Sequence, residues 1–297
     1  MPLPPPLSDA PFTYRYGRDA GAGATRLRGA DLTRPFHGVR DPTASHDLLA
    51  RCLAYATKMS PSAFFSSATA ARLMGAPLPR RIDSSEDLHV AIVAPHRGLQ
   101  GQGVVGHKVR LMGNDSWEFR GVRLSTPERA WCELGRLLTA PELVAVGDHL
   151  IHWRSPLVAV DVLADAIDRY PDRRGKPRLQ TALGLLDPRA ESPKESELRA
   201  ILQLAGIEGI VSNHPIVCGG HRYRLDLAIP RLKIDIEYQG DYHRDPTQWR
   251  SDMTRRSRIE SSGWYYLEFN ADDLRSPAEI VARVATTISR RERYPQP

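Results

Sequence analysis

Three carboxylates, Asp226, Glu237 and Glu195, have the residue types and spacing to do chemistry. Asp226 lies in Arg-Tyr-Arg-Leu-Asp-Leu-Ala-Ile-Pro, residues 222–230, and Glu237 in Leu-Lys-Ile-Asp-Ile-Glu-Tyr-Gln, residues 232–239. Both stretches read as strands, and each puts its acid on the polar face, so neighbouring strands would bring the two together. Glu195 stands at the start of a predicted helix. Converging carboxylates repel: two unit charges ~5 Å apart cost roughly 3 kcal/mol at an effective dielectric of 20. A divalent cation relieves that repulsion, and hard oxygen donors suit Mg²⁺ or Mn²⁺. Each acid also has a plain structural role. Glu195 falls at the third position of a capping box, Asp226 could face solvent on an edge strand, and Glu237 could share a half-exposed polar face with Asp235 and Gln239. Their joint order is what points to a metal site.

The elements that must position these acids are legible around them. Ser192-Pro193-Lys194-Glu195 is a capping box with proline at the first helical position, followed by Leu198, Ile201, Leu202 and Ala205 on one face and closed by Gly206. Gly219-Gly220 predicts a hairpin turn between apolar runs, not a phosphate loop. From Leu232 to Gln239, Leu232, Ile234, Ile236 and Tyr238 face one way and Lys233, Asp235, Glu237 and Gln239 the other. Thr247 caps a helix carrying Trp249, Met253, Arg256 and Ile259. Trp264 to Phe269 predicts a last strand, whose Trp264, Tyr265 and Tyr266 read as packing rather than base stacking. Ser276-Pro-Ala-Glu279 is a second capping box. The order is helix, three strands, helix, strand, helix. His214, Cys218 and His221 lack the paired-cysteine spacing of a zinc site.

Ahead of this region the signals are sparser. Residues 1–35 read as a partly ordered arm. Helices are predicted over 46–58, up to Gly75, from Ser125-Thr-Pro-Glu128 and over 141–153. A strand is predicted at Leu88–Val93 and a glycine-rich loop over 98–106. The polar stretch Asp187-Pro-Arg-Ala-Glu-Ser-Pro marks a boundary, giving an arm (1–35), an α+β domain (36–187) and a C-terminal domain (188–297). The chain has 297 residues, is 41% hydrophobic and 26% charged, and carries a net charge of +6. From Glu191 onward acids and bases balance at 16 each, so the excess belongs to the first 190 residues. There Arg26, Arg28, Arg34 and Arg40 could grip phosphate or simply face solvent. Three scattered cysteines fit a reducing compartment. The absence of a long apolar run and of a signal-like N-terminus predicts a cytoplasmic protein with no membrane partner.

The ordered set of acids and elements over about 190–275 resembles the PD-(D/E)XK nuclease superfamily. Within it, the set is similar to the branch related to very-short-patch mismatch-repair endonucleases. The residues that carry the resemblance are Ser-Pro-Lys-Glu195-Ser-Glu-Leu-Arg199, Arg-Leu-Asp226-Leu-Ala-Ile-Pro230, Ile-Glu237-Tyr-Gln-Gly-Asp241-Tyr-His243, Asp252 with Arg255-Arg256, and Gly263-Trp264. The resemblance implies an α/β fold: a restriction-endonuclease-like αβββαβα core with a central mixed sheet. It also implies a Mg²⁺- or Mn²⁺-dependent endonuclease acting on DNA. By position, Asp226, Glu237 and the Tyr238 carbonyl would hold the ion and Glu195 would orient a second ion or a water. His243 would transfer a proton. Arg244, Asp252, Arg255 and Arg256 would place nucleic-acid phosphate. The family pattern ends in lysine, where this chain has Gln239. An amide orients water but neither donates an acidic proton nor carries charge.

Residues 30–185 resemble, more weakly, the AbiEi type IV antitoxins of abortive-infection systems. Arg34-Pro-Phe-His-Gly-Val-Arg40, Phe65-Ser-Ser-Ala-Thr-Ala-Ala71, Leu88-His-Val90 and Ser125-Thr-Pro-Glu-Arg-Ala-Trp131 carry that likeness. The winged helix with which that family reads DNA has at most a fragment here before Arg34. The resemblance implies a partner toxin or another defence protein, and two-strand cutting would call for a homodimer. Two functions follow as expectations: a metal-dependent DNA endonuclease, or an antitoxin-like DNA-binding protein whose nuclease fold has decayed.

Overall fold

The computed structural model describes residues 2–45, 47–96, 100–111, 113–240 and 246–294. It is a mixed α/β protein with two compact units, Met1–Arg136 with Asp165–Gly175, and Leu137–Ala164 with Lys176–Pro297.

The first unit begins with strands β1 (Phe12–Thr13) and β2 (Val39–Arg40), paired antiparallel, with helix α1 (Tyr14–Asp19) between them in sequence. The Thr13 hydroxyl accepts the Tyr16 N–H and caps α1. Leu7, Phe12, Ala22, Leu27 and Leu32 make a small core here, so the expected loose arm is folded. Helix α2 (Leu48–Ala56), capped by Asp47, follows. Then come β3 (Ala63–Phe65), α3 (Ser67–Leu73), α4 (Arg80–Asp83), β4 (Leu88–Val93), β5 (Gln100–Gly101), β6 (Val104–Val109), β7 (Ser116–Phe119), β8 (Val122–Ser125) and α5 (Pro127–Leu134). Six strands form one sheet in the order β5-β6-β4-β3-β8-β7. The described part of the glycine-rich stretch is not a plain loop: Gly103, at φ +75°, turns β5 back onto β6.

The second unit holds α6 (Ala140–Leu150), α8 (Lys176–Leu183) and the C-terminal elements; α7 (Val160–Arg169) runs across the division. After α9 (Pro193–Leu204) come β9 (Val211–Cys218), β10 (His221–Ile229), β11 (Ile234–Tyr238), α10 (Pro246–Ser261), β12 (Tyr265–Phe269) and α11 (Pro277–Arg293). This is the predicted order. The four strands form a mixed sheet, β12-β11-β10-β9, antiparallel except for the parallel β11–β12 pair. Leu198 and Leu202 of α9 and Ile280 and Val284 of α11 pack with Leu227, Ile229, Ile234 and Ile236. Ile259 of α10 packs with Leu225 and Ala228. Helices therefore contribute to two apolar clusters of the sheet, and a carboxylate on it can be buried.

Several local expectations change. Lys233 takes φ +49° after a turn at Pro230–Leu232, so Leu232 and Lys233 precede the strand rather than begin it. Ser276 precedes α11 but makes no side-chain cap, and the second capping box is not formed. Met253 is 50% exposed rather than packed. No described helix is long and apolar enough to cross a membrane.

The packing division also departs from the compositional boundary near 187. The Arg199 guanidinium of α9 meets the Asp148 carboxylate of α6 at 2.6 Å, with both side chains 3% exposed. Asp148 also accepts the Asp187 N–H at 2.8 Å. This buried pair ties α6 to the C-terminal elements. Asp148→Ala leaves Arg199 buried without its counter-charge and is expected to cost about 3–5 kcal/mol. Replacing both partners at once, D148L with R199M, is expected to cost much less. Denaturant unfolding of the two variants beside wild type measures the difference.

Candidate functional site: a carboxylate cluster where the strands part

Strand β10 runs antiparallel to β11 through the pairs Ile229–Ile234, Ala228–Asp235 and Leu227–Ile236. The next pair would be Asp226 with Glu237, and there side chains take over from backbone. The Asp226 N–H donates to Glu237 Oε1 at 3.3 Å, and the Tyr238 N–H donates to Asp226 Oδ2 at 3.3 Å. On its other edge β10 pairs with β9 on either side of Asp226 but not at Asp226 itself. The residue that would face it, Asn213, is left-handed at φ +54° and its side chain donates to the Arg189 carbonyl. Asp226 thus occupies a local opening in both ladders, and the carboxylates complete the backbone hydrogen bonding that the opening leaves unmade.

Arg255, on α10, grips Glu237 through both oxygens, at 2.8 and 2.9 Å, and donates to the Arg224 carbonyl at 2.9 Å. The guanidinium fork matches the carboxylate plane. Glu237 is 5% exposed and Asp235 is fully buried. The polar face predicted for β11 is therefore not solvated. Neither oxygen of Asp235 has a hydrogen-bond donor, and Glu195 Oε2 is likewise buried without a partner. One guanidinium faces an excess of acid. Burial first, then the Glu237 and Glu195 charges, push the Asp226 carboxyl up to about 7. Burial and Glu237 push Asp235 up to about 9, and a proton on Asp235 can be donated to Glu237. Burial also raises Glu195, against a lowering hydrogen bond from Ser192.

The predicted site residues fall into groups. Asp226, Glu237 and Glu195 come together on β10, β11 and the first turn of α9. Ser192 Oγ accepts the Glu195 N–H at 3.2 Å, half of the expected capping box. Gln239 follows β11, its N–H donating to the Phe269 carbonyl at 2.7 Å, and its side chain acts on the Tyr266 hydroxyl. Arg255 lies on Glu237 rather than free for phosphate. Arg256 pairs with Glu260 at 3.0 Å and Glu268 at 3.6 Å. Asp252 lies on α10, partly exposed. His243 and Arg244 lie outside the described residues. Asp235, read from the sequence as a flanking surface residue, belongs to the cluster.

The donors in the cluster are all hard oxygens, the type a hard cation takes, but Asp226 Oδ2 and both Glu237 oxygens already accept from the Tyr238 N–H, the Asp226 N–H and Arg255. Among the described residues, no three His, Cys, Asp or Glu side chains stand close enough to hold a metal ion between them.

Two relatives come from Mycobacterium tuberculosis, the uncharacterized proteins Rv2248 and MT2308 of two strains. Each is 28% identical over 270 residues, 89% of this chain and 95% of theirs. That span runs through both compact units. No family model matches the chain. No solved structure matches it.

The raised carboxyls have a stability consequence. Their pKa values lie above those of the unfolded chain, so the folded unit binds protons that the unfolded chain lacks. That contribution is complete below about 4 and is lost as pH rises through about 7 for Asp226 and about 9 for Asp235. The unfolding midpoint is expected to fall between pH 6 and 9. Asp235→Asn, whose amide can donate to Glu237 without titrating, should raise the midpoint at pH 9 by several degrees and flatten the profile. Calorimetry across that range, without added divalent cation, checks both expectations.

Proposed function

We propose that this chain is a divalent-metal-dependent endonuclease whose second unit has a restriction-endonuclease-like core. The observation that carries the reading is the parting of β10 from β11 at Asp226 and Glu237. There two acids bracket each other across a sheet opening, and Glu195 adds a third. A purely structural site has no need for so many buried acids around one guanidinium. Asp226 and Glu237 would hold Mg²⁺ or Mn²⁺, with Glu195 and the Tyr238 carbonyl as neighbouring oxygens. When bound, such an ion supplies Lewis-acid activation of water and stabilises charge at phosphorus.

The chain's own residues do the rest. Asp226 and Glu237 are held in register by the backbone N–H groups that they accept. Arg255 keeps Glu237 oriented through both oxygens. Gln239, where the family pattern has lysine, can orient a water by its amide. DNA is the proposed substrate.

A second reading is favoured by one specific arrangement. Arg255 already neutralises both oxygens of Glu237, and Gln239 brings no charge of its own. On that reading the cluster is a silent remnant and the protein only binds DNA, in the manner of an antitoxin.

A supercoiled-plasmid assay with Mg²⁺ or Mn²⁺ separates the two. Nicking or linearisation by wild type, reduced at least about 100-fold by Glu237→Ala, is the result the first reading expects, because the truncation removes a proposed metal ligand. Gln239→Lys should then raise the rate. No cleavage by a folded wild-type protein, and none by Q239K, would leave the second reading standing.

A further inference from the structure

The edge of the sheet beside this cluster carries a second feature, an open cleft of about 650 Å³ lined by Arg256, Trp264, Tyr265, Arg290, Arg291 and Tyr294, among others. A cleft of this size is in the range that holds a small ligand. Its walls come from β12, α10 and α11, all within the second unit. Tyr265 is 40% exposed and Tyr294 71% exposed, although neighbouring Leu267 and Phe269 of the same strand are buried in the core. The strand thus spends Leu267 and Phe269 on packing and leaves Tyr265 open.

The cations are arranged around these rings. The Arg291 guanidinium lies 5.9 Å from the Tyr265 ring centre and donates to the Lys233 and Gly263 carbonyls, which fixes the floor of the cleft. Arg256 lies 4.5 Å over the Tyr266 ring. Arg290 is exposed and its side chain makes no ion pair among the described residues. Among the described residues Glu260 is the only acid lining the cleft, and Arg256 pairs with it.

We infer that this cleft holds an unpaired stretch of nucleic acid, with bases stacked on Tyr265 and Tyr294 and phosphate met by Arg290. Open aromatic faces interleaved with arginine suit unpaired bases, because a duplex keeps its bases stacked on each other. The cleft adjoins the carboxylate cluster. Tyr266 lies opposite Asp235 and Glu268 opposite Glu237 in the β11–β12 register, whereas Tyr265 pairs with Ile234 and presents its ring on the other face of the sheet, so the cleft and the acids meet only at the β12 edge. The inference rests on the nuclease reading for the identity of the ligand, not for the cleft itself.

The test is fluorescence anisotropy of a labelled thymidine oligonucleotide, roughly 12 nucleotides long, and of a duplex of equal length, in EDTA so that nothing is cut. Wild type should bind the single strand more tightly than the duplex. Tyr265→Ala should weaken single-strand binding roughly 10-fold, and Tyr265→Trp should keep it. Arg290→Ala should lower the slope of log affinity against log salt by about 0.7, one phosphate contact to a single strand. Unfolding midpoints of the variants should match wild type. Equal binding by wild type and Tyr265→Ala, or no single-strand preference in wild type, would overturn the inference. If that happens while Glu237-dependent plasmid nicking persists, the cleft assignment fails and the nuclease reading stands. Tyr265-dependent binding without nicking would keep the cleft and remove the nuclease.

Discussion

The second unit depends on one local fault in its sheet. Between Leu227–Ile236 and the end of β11, the β10–β11 ladder stops exchanging backbone hydrogen bonds and accepts carboxylates in their place. Such an exchange is stable only if the carboxylates are held. Arg255 does that from α10 by taking both oxygens of Glu237, while apolar contacts from α9, α10 and α11 fix the strands on which the acids ride. The low dielectric that strengthens the Arg255–Glu237 pair also raises the cost of charge on Asp226, Asp235 and Glu195. The same burial that orders the cluster makes it short of positive charge.

That shortage is the physical link between structure and proposed chemistry. A buried acid can take a proton, pair with a cationic side chain, or bind an ion. Here one arginine serves Glu237, and a proton on Asp235 serves that residue up to about pH 9. Asp226, raised to about 7 by burial and by the Glu237 and Glu195 charges, can hold a proton at neutral pH. Arg255 is then the counter-charge that the cluster has, and it serves Glu237.

Much of this arrangement is legible in the sequence, for identifiable reasons. Alternation with period two placed Asp226 and Glu237 on strands, and Gly219-Gly220, at φ +55° and +77°, joins β9 to β10 as a hairpin turn should. Alternation alone does not say whether a polar face is solvated, so Asp235 looked like a surface residue although α10 covers it. The Arg255–Glu237 pair spans 18 positions and the Arg199–Asp148 pair spans 51, and no local pattern encodes either. The same limit explains the displaced boundary. Proline and serine near 187 mark a loop, and across it α6 packs against α9 with the Asp148–Arg199 pair between them. In residues 2–41, proline and glycine hid a small core because its apolar members are spread at irregular spacing around Leu27.

In the proposed function, Asp226 and Glu237 hold a divalent cation. The most direct measurement is isothermal calorimetry of Mn²⁺ and Mg²⁺ into the full chain, with Asp226→Ala beside wild type and folding confirmed for both. Saturable binding by wild type, lost in the variant, is the expected result. Equal binding by the two proteins, or none by either, would contradict it.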